Sequence, residues 1–245
     1  MTETRNELFD YIDRSLKNNF EKTAVLKESE KSSIYLYTHT KSGEKIIERI
    51  SKNRNDEVFR AVRNKDIENF ATVLEVCSTD NALITLEKYI EGENLEATIS
   101  DGILDLKTAC RYAYQICNAL SGLHAQNVIH RDIKPANIII GNDANAYLID
   151  LSIARMQNAE SDLDTESLGT AGYAAPEQYG IIQSNRATDI YALGIVLNKM
   201  LTGVHPSIKI PGGPIGRIIK KTTFIQISKR FSDARQLQKK LKRFI

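Results

Sequence analysis

The sequence predicts an α+β fold: a small antiparallel sheet up to about residue 88, then a mainly helical body. Three observations carry this expectation. Short β-rich runs joined by turn signals fill the front third. From Leu106 onward, apolar residues recur at helical spacing. Between the two helical regions stand three short strand-like stretches, "NVIH", "NIII" and "AYLID".

Taken in order, "SSIYLYT" and "EKIIERIS" read as strands joined by a Lys41-Ser42-Gly43 hairpin. A short polar helix follows over Asn55 to Asn64, then two strands, "ATVLEVCS" and "ALITLEKY". After "IEGEN", the residues Leu106, Ala109, Cys110, Ala113, Ile116, Cys117, Leu120 and Leu123 form one apolar stripe of a long helix. "RATDIYALGIVLNKMLTG" is apolar almost all round, which marks a central buried helix stopped by Gly203. The tail "SDARQLQKKLKRFI" opens on a Ser/Asp cap and ends basic, as a solvated helix end does. No repeat or low-complexity linker interrupts the chain, so residues 1–245 read as a single domain.

The gross numbers fit this and exclude several classes. A chain of 245 residues can bury a good core as one large domain or as one domain with two lobes. With 33 basic and 31 acidic residues the net charge is +2, so nothing draws the molecule globally to nucleic acid. No apolar run reaches the length of a membrane span, and the acidic start "MTETRNELFD" is not a signal peptide. The expectation is a cytoplasmic protein or the soluble part of something longer. Three cysteines without CxxC spacing argue against a disulfide scaffold or a zinc site, and Cys110 and Cys117 sit in the core stripe.

The chemistry concentrates in "HRDIKPANIII", residues 130–140, and in Asp150 at the end of "AYLID". Two carboxylates, an amide and a lysine at strand ends suit a metal–phosphate group held beside a nucleophile. Asn137 and Asp150 supply hard oxygen ligands for Mg²⁺. Lys134 neutralises charge on a moving phosphoryl group, and Asp132 accepts a hydroxyl proton.

These residues resemble the protein kinase family, in its serine/threonine, bacterial-type form. His130-Arg131-Asp132 with Lys134, Pro135 and Asn137 matches the catalytic loop, and Asp150 stands where the metal-binding aspartate stands. "GTAGYAAPEQ" looks like the end of an activation segment, "TDIYALG" like the central helix, and Arg230 like the late arginine that pairs with Glu177. The resemblance implies a two-lobed kinase-like fold, with an N-lobe over about 1–88 and a mainly helical C-lobe over about 89–245. It implies Asp132 and Lys134 as catalytic residues, Asn137 and Asp150 as holders of Mg²⁺ or Mn²⁺, and ATP as phosphoryl donor. It implies a protein substrate, with self-association for autophosphorylation as a further option. It gives Asp189 a structural role in holding the catalytic loop and Thr170 a role in positioning the substrate hydroxyl. Thr165 and Ser167 become candidate phosphorylation sites that could pair with Arg131.

The front lobe departs from the pattern. Lys27, Ser29 and Ser32 occupy the three positions of the family's glycine-rich loop, with Glu28 and Glu30 adding negative charge. The strand lysine falls on Arg49, a planar fork instead of a compact ammonium. Its helix partner falls on Glu57. At the junction of the lobes, Glu87 takes the gatekeeper position, followed by Lys88 and Tyr89 beside the nucleotide base. The Asp-Phe-Gly motif reads Asp150-Leu151-Ser152, and the segment after Pro206 is short. Nucleotide contacts are therefore assigned to Ser29, Ser32, Arg49, Glu57, Lys88, Tyr89, Asn137 and Asp150. Two functions stay open: a serine/threonine kinase of reduced activity, and a pseudokinase serving as a binding or scaffolding module with weak or no ATP binding.

Overall fold

A three-strand meander and one hairpin build the front sheet. The computed structural model describes residues 14, 16, 18–52, 55–157, 169–179 and 183–245. The chain divides into two compact units, Met1–Asp66 with Ala71–Tyr89, and Ile67–Phe70 with Ile90–Ile245. The fold is α+β, sheet in the first unit and mainly helix in the second.

In the first unit β1 (Phe20–Glu28), β2 (Ser32–His39), β3 (Lys45–Ser51), β4 (Val73–Ser78) and β5 (Leu83–Lys88) form an antiparallel sheet in the order β1-β2-β3-β5-β4. Four of these match the expected strands. The extra strand, β1, is exposed along most of its length and bulges twice against β2, so no period-2 apolar face announces it. The expected polar helix is present but shorter: α1 spans Asp56–Val62. It buries Val58, Phe59 and Val62 and packs on β4. Ser78 of β4 donates to Asp56 Oδ2 at 3.1 Å and accepts from Arg60, while Arg63 meets Glu75 at 2.7 Å. The opposite sheet face carries Ile46, Cys77 and Ile84 against Leu16 and Phe20.

The second unit is organised around two helices, α3 (Leu106–Ala125) and α4 (Arg186–Thr202), which follow a short α2 (Leu95–Ser100). Asp105 caps α3 by accepting from Thr108 N at 3.0 Å, and the expected stripe is buried from Ala109 to Leu123, while its first residue, Leu106 in the opening turn, is exposed. Burial of each large apolar side chain contributes about 1.5–3 kcal/mol. Asn185 and Thr188 form a capping box at the start of α4, and Gly203 ends it at φ 73°, a left-handed turn that glycine adopts without strain. α5 (Gly213–Thr222) crosses α4 at Gly194, where a Cβ would overlap the Thr222 side chain. α6 (Ala234–Leu241) is capped by Asp233, as the tail sequence indicated, and packs on α3. Lys239, Lys240, Lys242 and Arg243 lie at its solvated end.

Short strands frame the loops between these helices. β6 (Gly92–Asn94), β8 (Ile138–Gly141) and β9 (Ala146–Leu148) make one small sheet. β7 (Val128–Ile129) pairs with β10 (Arg155–Met156) in another. Together they fix residues 130–137 and Asp150 at strand ends. Among the described residues no helix is long and apolar enough to cross a membrane.

Candidate active site

The loop after β7 is held from below by one buried carboxylate. Asp189, on α4 and 0% exposed, accepts from His130 N at 3.0 Å and from Arg131 N at 2.8 Å. It also bonds His124 Nε2 at 2.8 Å. Burial pushes this carboxyl upward, but the hydrogen bond with His124 and the Arg131 N–H outweigh it, holding Asp189 below the usual carboxylate range. These bonds let Arg131 stand at φ 69°, a left-handed conformation that costs a non-glycine residue about 1–2 kcal/mol. His130 is a strut: its Nε2 lies 3.1 Å from Ile149 O, and its Nδ1 accepts from Asp132 N at 3.3 Å.

With the loop so fixed, four side chains converge. Asp132 Oδ1 accepts from Thr170 Oγ1 at 2.7 Å, and Oδ2 accepts from Asn137 Nδ2 at 2.9 Å. Lys134 Nζ lies 2.7 Å from Asp132 Oδ2 and donates to Thr170 Oγ1 at 2.8 Å. Asn137 Nδ2 also bonds Asp132 O at 2.9 Å, which commits its amide hydrogens to Asp132 and leaves Oδ1 as the atom that could hold a metal. Asp150 follows β9 at φ 73° and accepts from Ser152 N at 2.9 Å, while Leu151 is buried.

The donor set fits Mg²⁺ or Mn²⁺. Among the described residues no cluster of three or more His, Cys, Asp or Glu could hold a metal by itself. The Asn137 amide oxygen and the Asp150 carboxylate are hard oxygen donors of the kind Mg²⁺ takes, and they would hold it together with phosphate oxygens and water.

The end of the activation segment is tied to the same loop. Gln178 donates from Nε2 to Arg131 O at 2.8 Å and accepts from Ala175 N at 3.0 Å. The sequence reading gives Gln178 no role; an amide directly after Pro176-Glu177, close to a loop with an unusual backbone, is the only signal that could have found it. Glu177 and Arg230 form the anticipated buried pair at 2.7 and 2.9 Å. Thr165 and Ser167 lie outside the described residues.

In the first unit several of the expected contact residues have partners of their own. Ser29 and Ser32, expected against a triphosphate, close the β1–β2 turn on themselves. Ser29 N and Oγ both donate to Ser32 O, at 3.0 and 2.9 Å, and Ser32 N donates to Ser29 Oγ at 3.2 Å. Two N–H groups that a glycine-rich loop would turn toward phosphate are thus consumed. Lys52 N, beyond β3, bonds Lys31 O at 3.0 Å and ties the same turn to its neighbour. The backbone N–H of Lys88 donates to Thr72 O at 2.9 Å and that of Tyr89 to Lys45 O at 3.4 Å, so neither is left for the edge of a base.

The expected Arg49–Glu57 pair is replaced. Glu57 stands exposed in the first turn of α1. Arg49 Nε instead donates to Glu87 Oε1 at 3.0 Å, and Thr85 Oγ1 donates to the same oxygen at 2.7 Å. Both charged residues are 6% exposed. The sequence reading places each residue without joining them. The joining signal is the β3–β5 register, which sets Arg49 opposite Thr85 and Ile47 opposite Glu87, so Arg49 and Glu87 share a face as diagonal neighbours.

Comparison with known proteins extends the likeness over nearly the whole chain. The model of the protein kinase domain matches residues 20–245. A probable serine/threonine-protein kinase of Clostridium perfringens is 30% identical over 207 residues, covering 80% of this chain and 30% of the relative. The probable serine/threonine-protein kinase PknB of Corynebacterium glutamicum is 28% identical over 210 residues, covering 78% and 32%. The serine/threonine-protein kinase PrkC of Bacillus subtilis is 35% identical over 143 residues, covering 58% and 22%. The chain thus spans no more than a third of the length of these relatives. A loop strapped to a buried aspartate, with its own aspartate bridged to a lysine, a threonine and an asparagine, accords with the match along the sequence: the chain belongs to the protein kinase family.

Proposed function

We propose that the chain is a serine/threonine protein kinase that transfers the γ-phosphoryl group of ATP to a hydroxyl of a protein substrate. The observation that carries this reading is the Asp132–Lys134–Thr170–Asn137 network, in which one carboxylate is oriented by three donors. In this reading Asp132 takes the proton of an incoming seryl or threonyl hydroxyl, and Thr170 lines its seat. Lys134 balances negative charge beside that carboxylate. Asn137 and Asp150 would hold Mg²⁺ or Mn²⁺, and Arg49 would supply the cation that the family's strand lysine supplies. When bound, metal·ATP supplies the phosphoryl group and the charge that bridges its oxygens. The reading puts the chain in the cytoplasm, where ATP is available, with autophosphorylation between two copies as one of its reactions.

The test is incubation with radiolabelled ATP and Mg²⁺ or Mn²⁺, for the chain and for Asp132→Ala and Asp150→Ala. Removing a general base typically costs about 10²–10⁴ in rate, so label is expected to vanish from Asp132→Ala. Labelling that persists in both variants defeats the mechanism.

Two observations favour a second reading, a pseudokinase scaffold. The self-closed β1–β2 turn removes a phosphate cradle, and Arg49 is engaged by Glu87. Melting with and without Mg·ATP separates the two. A binder at about 100 times its dissociation constant gains roughly 2.7 kcal/mol, and a scaffold that ignores nucleotide gains nothing.

A further inference from the structure

We infer that Glu87 is the positioning residue for Arg49, taking over within the sheet the task expected of a carboxylate on helix α1. The inference rests on the kinase reading, in which Arg49 meets the phosphates. Three observations carry it. First, Arg49 and Glu87 are bonded at 3.0 Å through the guanidinium's Nε, and Thr85 fixes the accepting oxygen from its other side at 2.7 Å. Second, the three residues stand on neighbouring strands whose register sets the pair, so their relative placement follows the sheet and not a movable helix. Third, α1 is fastened elsewhere. Its Asp56 and Arg60, with Arg63 just beyond its end, bond Ser78 and Glu75 of β4.

The chemistry explains why the two changes occur together. A glutamate buried at a position next to a nucleotide base would repel the phosphates and require a counter-charge. An ammonium in place of Arg49 would have to choose between that carboxylate and a phosphate. A guanidinium presents five N–H groups in a rigid fork and can meet one anion through its Nε edge while directing its remaining N–H groups elsewhere. The pair is therefore a relocated clamp: the cation's orientation is set by strand β5, and the position of α1 does not set it.

The experiment is a double-mutant cycle on Mg·ATP affinity, measured by titration calorimetry on the chain, Glu87→Gln, Arg49→Gln and the double variant. Urea midpoints of the four proteins show whether lost affinity is merely lost fold. Each single change is expected to weaken binding about tenfold, the scale of one charge-assisted hydrogen bond, and the double variant to bind no worse than Arg49→Gln. Where turnover is measured, Glu87→Gln is expected to raise KM for ATP with kcat unchanged, whereas a purely structural defect lowers kcat through the active fraction. If Arg49→Gln does not fold, Arg49→Lys, which keeps the charge and removes Nε, completes the cycle and is read in the same way. Wild-type affinity in Glu87→Gln, or effects that multiply in the double variant, overturn the inference and leave the kinase reading standing. A wild-type chain that binds no Mg·ATP overturns both.

Discussion

Asp189 shows how one side chain can hold a whole loop. It has no access to solvent, yet its oxygens accept two backbone N–H groups and face His124. Its carboxyl is held below the ordinary value, so its contribution to stability is complete above the unfolded-state pKa of about 3.9 and is lost as pH falls through the lower folded value. Asp189→Asn presents an amide to donors, leaves at least one of them unpaired, and is expected to cost about 1–3 kcal/mol at neutral pH. It is also expected to flatten the acid limb of stability below about pH 4 relative to the parent. Urea midpoints at a series of pH values check both; a variant with the parent's acid sensitivity would show that another group carries it. At the same scale, Thr170→Ala removes the donor on Asp132 Oδ1 and the acceptor for Lys134, and is expected to lower kcat by about tenfold, read from initial rates.

Among the elements, α4 is the axis. It brings Asp189 under the loop of residues 130–137, and its Ala187 carbonyl joins the Glu177–Arg230 pair. Every N–H of the Arg230 guanidinium has a partner: both Glu177 oxygens and the carbonyls of Phe224, Ile225 and Ala187. Arg230→Ala leaves Glu177 buried without its counter-charge and is expected to cost about 3–5 kcal/mol, measured by denaturant unfolding. Arg230→Lys is expected to recover only part of this, because three donors on a flexible stem cannot meet five acceptors set in a plane. Gly194 lets α5 approach α4, and Gly194→Ala is expected to cost about 1–3 kcal/mol by forcing Thr222 aside, again read from the urea midpoint.

The elements of the helical body were legible because period and capping agree: the stripe from Ala109 to Leu123, the Asp233 cap and the Gly203 stop are all local signals. β1 was not legible, since a mostly exposed strand with two bulges carries no alternation. At the site, Asp132, Lys134 and Asn137 lie within one loop, and their spacing already brings them together. Arg49 and Glu87 are far apart in sequence and meet only through strand pairing, and the self-closure of Ser29 on Ser32 depends on turn geometry that residue types do not fix.

At the scale of the molecule, the cysteines serve as reporters of each unit. All three are buried: Cys77 in the first unit, Cys110 and Cys117 in the second. Burial pushes the Cys110 thiol up to about 12 and raises Cys117 further, so neither is a thiolate at neutral pH. A maleimide reagent is expected to leave the folded chain unmodified. In rising urea, peptide mass spectrometry is expected to date the opening of the sheet by Cys77 and of the helical body by Cys110 and Cys117. Rapid labelling of Cys117 without denaturant would contradict the packing of α3.

The buried bond between Arg49 and Glu87 also bears on ancestry. Either charge alone in that interior would be costly, so a lineage could not readily acquire one and wait for the other. Sequences descended from a shared forebear are expected to hold both residues or neither, and the two columns of an alignment would change in step.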